Sequence, residues 1–264
     1  MLKYVLRECW WNKDQILRIA QIQLKIQYSS TKLKLLWTFL NPTIQVLTYW
    51  LVFQVGLQVR SAVEGVPYIA WMYTGLVPWL FISATLVSGA GSIVAMRNIV
   101  MNMKYPLSTI PVASVCTELC SHLLNLVVLI LVQLICGVRY DLHFFGLFYF
   151  VFCAWSFLVG YSLLFSALHV IARDTQRLIQ ALIRLLFFFT PIAWAPQEHT
   201  IMDVIIRLNP FAYIIEGYRG AMLLGGDYHI VTLQHIYFWL VTSAMFLGGC
   251  VVHMTLRPKF ADYL

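Results

Sequence analysis

Six stretches of this chain run without an acidic or basic residue, or with only one, for long enough to cross a bilayer. Nothing charged stands between Lys34 and Arg60, between Glu64 and Arg97, between Asp141 and Arg173, or between Asp227 and Arg257. Two further stretches, after Lys104 and after Arg177, are each interrupted once, by Glu118 and by Arg184. A helix rises about 1.5 Å per residue, so roughly 20 apolar residues cross the hydrocarbon core. Only helices or closed barrels satisfy the backbone in lipid, and these runs are too long for barrel strands. The pattern predicts an all-α integral membrane protein with six spans, at about 36–57, 67–94, 108–136, 144–170, 178–194 and 233–254.

The segments between the spans have characters of their own. Residues 1–34 mix polar and apolar positions around Trp10 and Trp11, as suits an amphipathic element lying among headgroups. Ile22, Leu24 and Ile26 alternate with glutamines and Lys25, a strand period, while Ile16, Leu17, Ala20 and Leu24 fit a helix face. Helix is expected, because an unpaired strand would leave its backbone unsatisfied. The chain then divides into this interfacial segment, 1–34, and a six-span membrane domain, 35–264. Asn41-Pro42 predicts a kink in the first span. Ala84, Ser88 and Ser92, four apart in the second, would let another helix approach closely. Residues 95–106 form a short amphipathic piece stopped by Pro106. Residues 195–232 are too apolar for an ordinary loop and too short in their pieces to span. Asp203–Asn209 and Phe211–Leu224 read as two short helices separated by Pro210, the lengths of re-entrant or interfacial elements.

Composition changes little in this picture, but charge adds orientation. The hydrophobic fraction is 61%, the charged fraction 11%, and the formal net charge +7. Lys3, Arg7, Lys13, Arg18, Lys25, Lys32 and Lys34 precede the first span, and Arg97, Lys104, Arg173, Arg177, Arg257 and Lys259 fall on the same side. Arg60, Arg139, Arg207 and Arg219 fall on the other. By the positive-inside rule both termini face the cytoplasm of a plasma membrane. Topology thereby accounts for the basic excess without nucleic acid. A charged N-terminus with no small-residue cleavage site argues against a removable signal peptide. The six cysteines show no metal spacing and read as apolar thiols.

Candidate chemistry is sparse. No glycine is followed by lysine, so the chain has no P-loop, and HExxH and GxSxG are also absent. Any work drawn from ATP must use a nucleotide site on another chain. Polar groups inside spans are expensive and therefore candidates for function: Glu118 and His122, four apart in the third span, and Arg184 in the fifth. The plainer readings are an interhelical hydrogen bond for the first two and snorkelling for Arg184. Tyr49, Trp50 and Phe53 share one face of the first span and would serve as a sugar-stacking lining. With Trp37, Arg184 and Phe188 they make up the expected substrate path, in which Arg184 would meet pyrophosphate oxygens. Glu216 and Arg219, three apart, can pair on one helix face.

Leu36-Trp37-Thr38-Phe39-Leu40-Asn41-Pro42, Gly75-Leu76-Val77-Pro78-Trp79 and Arg173-Asp174-Thr175-Gln176-Arg177-Leu178-Ile179-Gln180 occur in this order. They are followed by Phe187-Phe188-Phe189-Thr190-Pro191-Ile192-Ala193-Trp194, Leu208-Asn209-Pro210 and Ile215-Glu216-Gly217-Tyr218-Arg219. Together they resemble the permease subunits of ATP-binding-cassette (ABC) polysaccharide exporters, over nearly the whole chain. Within that family, Tyr49-Trp50-Leu51-Val52-Phe53 and Gly65-Val66-Pro67-Tyr68 are more similar to the wall teichoic acid branch than to the O-antigen or capsule branches. One departure is that Pro106 is followed by Leu107-Ser108, where the family often has a basic residue.

The resemblance implies a permease that flips or extrudes undecaprenyl-pyrophosphate-linked wall teichoic acid outward, with another lipid-linked polysaccharide such as O-antigen or capsule as the alternative. It implies a homodimer surrounded by membrane lipid and served by two cytoplasmic ABC ATPase subunits. ATP and Mg would sit on those partners, with no cofactor and no catalysis in this chain. Residues 95–106 would be the coupling helix, through Arg97, Asn98, Ile99, Asn102, Met103 and Lys104. The outer re-entrant pair would form a gate with Asn209, Pro210, Phe211, Glu216, Tyr218 and Arg219. A membrane-embedded transferase, the reading from another class, would need converging Asp, Glu or His residues, which are scarce here. A small-molecule ABC permease would share the topology.

Overall fold

The computed structural model describes residues 1–29, 43–59, 65–102, 105–138, 143–195, 201–223 and 232–264. Among these residues the regular structure is entirely helical. Two amphipathic helices, α1 (Leu2–Trp11) and α2 (Lys13–Ser29), come first. The strand-like alternation at 21–27 therefore yields to helix: Ile16, Ile19 and Ala20 are buried, and α2 lies along the later helix Thr109–Ile135. A helix over 43–50 continues in a π-helical turn, Leu51–Gly56, and the two together are α3. Asn41 and Pro42, where the kink was expected, lie outside the described residues.

Among the described residues four helices are long and apolar enough to cross a membrane. They are α4 (Tyr68–Ala95), with its continuation α5 (Arg97–Asn102), then α6 (Thr109–Ile135), α7 (Phe144–Ile171) and α11 (Thr232–Leu256). α4 follows Gly65, whose φ of 76° suits glycine, and starts behind Pro67. α7 is capped by His143, whose Nδ1 accepts the Gly146 N–H at 3.2 Å. α8 (Thr175–Phe189) is only 15 residues long, and the helix pair α9 (Ile201–Leu208) and α10 (Pro210–Leu223) is shorter still. A 3₁₀ turn, Arg257–Lys259, and α12 (Phe260–Tyr263) end the chain.

The core centres on α7, which packs most extensively against α11 and α4, while α6 covers the other side of α4. Gln133 of α6 donates to the Thr74 hydroxyl of α4 at 2.8 Å, a buried polar tie between two apolar helices. The expected small-residue face of α4 divides: Ser88 and Ser92 turn toward α2, α6 and α8, and Ala84 is exposed.

One end of the bundle collects both termini and α5. Glu8 accepts two hydrogen bonds from the Arg257 guanidinium, at 3.0 and 3.2 Å, which ties α1 to the foot of α11. Phe260 and Leu264 are buried in a second small core with Ile93, Ile110, Ala167 and Val170, next to Val100 of α5. Arg173, between α7 and α8, donates to the Tyr263 carbonyl at 3.4 Å. Basic residues widely separated in sequence thus gather at one end, the arrangement that their loop assignment predicted.

α10 runs antiparallel to α7, from its middle to its start. The Phe211 ring meets Phe157 at 5.4 Å, the Tyr213 ring meets Phe150 at 5.4 Å, and the Ala221 carbonyl accepts the His143 N–H at 2.8 Å. Phe157 lies 13 residues beyond Phe144. At about 1.5 Å per residue, the α10 N-terminus therefore sits about 20 Å along α7 from that helix's start.

Backbone approaches backbone closely between α7 and α11, where Gly160 and Gly249 face each other. A Cβ on Gly160 would lie 2.8 Å from the Phe246 nitrogen and 2.9 Å from its Cα, both backbone atoms that cannot give way separately. We predict that Gly160→Val lowers stability by about 1–3 kcal/mol through overpacking. Gly248→Ala, whose Cβ would meet nothing within 4 Å, is the control and should be neutral or slightly stabilising. Thermal unfolding of the purified protein in detergent would compare them; equal melting temperatures for both variants would refute the close packing.

Candidate functional site

The residues singled out in the sequence fall into three places. The first surrounds Arg219. α8 ends at Phe189, just before Pro191, so the carbonyls that follow have no helical partners and need donors from elsewhere. Arg219 of α10 supplies them: Nη1 donates to the Pro191 carbonyl and Nη2 to the Ile192 carbonyl, both at 2.7 Å. Nη1 also meets Glu216 Oε1 at 2.7 Å, and the guanidinium lies over the Trp71 ring at 3.8 Å from its centroid. The residue is only 2% exposed. Tyr68 donates to the next carbonyl, that of Ala193, at 2.6 Å.

Asn209 fixes the same joint from the other side. Its Nδ2 donates to the Thr190 hydroxyl at 2.9 Å, and its Oδ1 accepts the Phe211 N–H at 2.9 Å. Asn209 is thus the N-cap of α10, with Pro210 in the first helical position, where a missing N–H costs nothing. Phe211 is buried against Trp79 and Phe157. Tyr218 is fully buried and shares a 2.9 Å hydrogen bond with His122 Nε2, whose ring stacks on Phe81. His122 therefore makes an interhelical hydrogen bond, to α10. Of the six residues expected at an outer gate, Asn209, Glu216 and Arg219 meet at this joint with Pro210 beside them, while Phe211 and Tyr218 pack in the interior of their own chain against Trp79, Phe157 and His122.

The second place is the surface of α3 and α8. Tyr49 stacks on Phe187 at 4.9 Å and meets Phe53 edge-on at 6.5 Å, and Phe187 contacts Trp79 at 5.9 Å and Phe188 at 5.3 Å. Arg184 and Phe188, one turn apart on α8, are both exposed, while Trp50 is half-buried. Tyr49, Phe53, Arg184 and Phe188 thus share two adjacent helices; Trp37 lies outside the described residues. Leu178, Leu182 and Leu185 of α8, and Ile44, Leu47 and Leu51 of α3, extend this exposed apolar surface.

The third place is α5. Arg97 and Asn98 are exposed, and Ile99 is half-buried, as is Val100, which packs on the small core around Phe260. The polar face of this helix is turned outward at the end that holds the termini. The Asn102 side chain, Met103 and Lys104 lie outside the described residues.

Sequence reasoning missed Trp71, Gly75 and Phe187. The first two had a readable signal. An arginine in an apolar segment needs acceptors and a ring, and Trp71 and Gly75, one helical turn apart, offer a ring beside a gap. A Cβ on Gly75 would lie 2.7 Å from Arg219 Nη2. We expect Arg219→Met to destabilise the fold by about 3–5 kcal/mol, because it strands two carbonyls and Glu216. Glu216→Gln should cost less, since both carbonyls keep their donor. Unfolding midpoints in detergent would test the order; an Arg219→Met protein as stable as the wild type would contradict it.

Comparison with known proteins adds the family. The model of the ABC-2 type transporter family matches residues 14–223. An O-antigen export system permease protein, RfbA, of Myxococcus xanthus is 28% identical over 219 residues, covering 82% of this chain and 83% of its own length. Two proteins of the same name from Klebsiella pneumoniae are 27% and 26% identical, each covering 95% of both chains. The family match takes in α2 through α10 and so includes all three places described above; this chain is a member of the ABC-2 type transporter family.

Proposed function

We propose that this chain is the membrane-embedded permease of an ABC exporter for a lipid-linked polysaccharide, and that the cargo is of the O-antigen class. The observation that carries the reading is an end-to-end relationship to O-antigen export permeases in a helical membrane chain with no P-loop of its own. The teichoic acid expectation rests on Tyr49–Phe53 and Gly65–Tyr68 alone, and the relatives' names give it no support. Nothing in the two short motifs outweighs that.

In this reading α3 and α8 complete a six-span unit. α8 is about 22 Å long at 1.5 Å per residue, short of a 30 Å core, and Thr190–Trp194 extends it. The exposed apolar faces of α3 and α8 meet a second copy, and Tyr49, Trp50, Phe53 and Phe188 border the path between the copies. Arg184 meets the pyrophosphate of an undecaprenyl-type carrier bidentately. The depth of the α10 N-terminus beside Phe157 supports a re-entrant α9–α10 pair in the outer leaflet. Its sealing face would be α9, with Val204, Ile205 and Leu208 exposed, and Arg219 would be its anchor. The end with α5 and both termini is cytoplasmic. There Arg97, Asn98, Ile99, Asn102, Met103 and Lys104 dock on one of two ATPase subunits, which bind ATP and Mg.

Complementation gives the direct test. In a strain lacking its O-antigen permease, co-expression of this chain with its ATPase should restore surface polymer on an immunoblot. Restoration of teichoic acid export instead would move the cargo to the other branch, and failure of both would remove the reading. Two further outcomes follow from the sites. The double variant Arg97→Glu, Lys104→Glu should lower ATPase co-purification several-fold while the permease stays folded; unchanged co-purification would dismiss the coupling role. Arg184→Ala should reduce export more than Arg184→Lys, and normal export by both would leave Arg184 as a snorkelling anchor.

A further inference from the structure

Beneath α2, at the end of the bundle that carries α5, lies an open cavity of about 300 Å³, with polar side chains set in a largely apolar wall, that none of the three places above uses. Its walls come from four helices: Gln23 of α2, Ser88 and Ser92 of α4, Thr117 and Glu118 of α6, and Gln176 of α8. Ala95, exposed at the end of α4, stands at its edge. Among the described residues no lysine, arginine or histidine lines it. Glu118 is the one carboxylate, and it takes part in none of the ion pairs among the described residues.

The hydrogen bonds around the cavity leave it rich in acceptors. Ser92 donates its proton to the Gly89 carbonyl at 2.8 Å, and Thr117 donates to Gln23 Oε1 at 2.7 Å or to the Ala113 carbonyl at 2.9 Å. Both hydroxyls have therefore committed their protons to the protein and keep only lone pairs to offer. Gln176 Nε2 donates to the Val87 carbonyl at 3.2 Å, which fixes the amide with its oxygen as the free acceptor. Gln176 Oε1 is buried with no hydrogen-bond partner among the described residues, and Ser88 Oγ, whose proton points to the neighbouring Glu118 carboxylate, keeps its lone pairs free. A buried acceptor costs about 1–3 kcal/mol when left unpaired. A carboxylate within a span is more expensive still.

The ligand that matches these walls is cationic and carries several donors. Phosphate is excluded by the carboxylate and by the missing basic side chains. A multivalent metal would need more than one acidic or imidazole ligand, and no such cluster exists among the described residues. A neutral sugar would find donors in the Gln23 and Gln176 amides and the Ser114 hydroxyl, but it would leave the Glu118 charge without a counter-ion. We propose that this cavity binds a primary ammonium group, whose three N–H donors are shared among Glu118, Gln176 Oε1 and Ser88 Oγ. The group has two chemical sources, an ethanolamine lipid headgroup in the adjoining leaflet or a free amine such as an amino sugar. At roughly 30 Å³ per water, the volume equals that of about ten waters, enough for a headgroup or one sugar ring but not for a polymer.

The test measures binding and does not depend on the exported cargo. The full-length chain is reconstituted in nanodiscs of phosphatidylethanolamine or phosphatidylcholine, each with the same fraction of phosphatidylglycerol. The phosphatidylcholine discs are also titrated with ethanolamine, glucosamine, choline or glucose, and the unfolding temperature is read. An ammonium site predicts a rise of about 2–4 °C with phosphatidylethanolamine, with the soluble primary amines, or with both. Choline, which has the charge without the N–H donors, and glucose, which has hydroxyls without the charge, should give none. A response to phosphatidylethanolamine alone assigns the lipid, and a response to the soluble amines assigns a free amine. Glu118→Gln should abolish the rise; Ser88→Ala should weaken it and serves as the second variant if Glu118→Gln fails to fold. A rise that survives in Glu118→Gln, an equal rise with choline or glucose, or no rise in any arm would overturn the proposal.

Discussion

The buried guanidinium of Arg219 is the constraint on which the upper half of the molecule depends. An ion in that position costs several kcal/mol unless its donors are used. Here the cost is offset because the chain has created acceptors beside it. Pro191 stops α8, and the carbonyls of Pro191 and Ile192 emerge with no helix to receive them. Arg219 answers both, Glu216 balances the charge, and Trp71 covers the flat face. Gly75 is small because the guanidinium occupies the space that a side chain would take. None of these features is stable without the others. Three helices, α4, α8 and α10, are joined through one side chain, and the short helix α10 is held in place although it is too short to span.

The lower half is organised by a different rule. Its joints are between elements far apart in sequence: Glu8 with Arg257, Arg173 with the Tyr263 carbonyl, and Phe260 with the core around Ile93 and Ile110. These contacts bring the N-terminal helices, α5 and the C-terminal turn to one end. A short helix such as α5 has little stability of its own. It is held by Val100 against the Phe260 core and leaves Arg97 and Asn98 outward. A rigid backing with an outward polar face is what a docking element needs if force on it is to reach α4 rather than dissipate in a loop.

Much of this was legible in the sequence. Length and apolarity pick out α4, α6, α7 and α11, because hydrophobic thickness is a one-dimensional constraint. Pro210 divides α9 from α10, and the spacing of Glu216 and Arg219 predicts their pair. What a linear pattern does not carry is which face of a helix meets which neighbour. An interhelical bond for His122 was readable, but not that its partner is Tyr218 of α10 while Glu118, one turn away, turns to the cavity under α2. Tyr49 looks like part of a free aromatic face, yet it stacks on Phe187, for which nothing in the first span gives a hint. The alternation at 21–27 imitates a strand because glutamine is tolerated on both sides of an interfacial helix. For α3 and α8 the difficulty is physical: amphipathic helices with exposed apolar faces have their environment set by what lies outside the chain.

The same geometry explains why the motifs that mark the family say little about cargo. Phe187–Trp194, Leu208–Pro210 and Ile215–Arg219 are the residues that close the Arg219 joint and its flanks. Changing one of them alone would weaken the joint, whatever passes through the protein. Side chains outside the joint are the ones the fold leaves free to vary, and in the proposed reading these are the exposed faces of α3 and α8, around Arg184 and Phe188. A family resemblance built on the joint is therefore strong evidence for architecture and weak evidence for the polymer. Two short segments, Tyr49–Phe53 and Gly65–Tyr68, are the only part of the resemblance that pointed to teichoic acid. Tyr49 and Tyr68 are themselves engaged in packing, with Phe187 and with the Ala193 carbonyl, so even these segments record the fold more than the substrate.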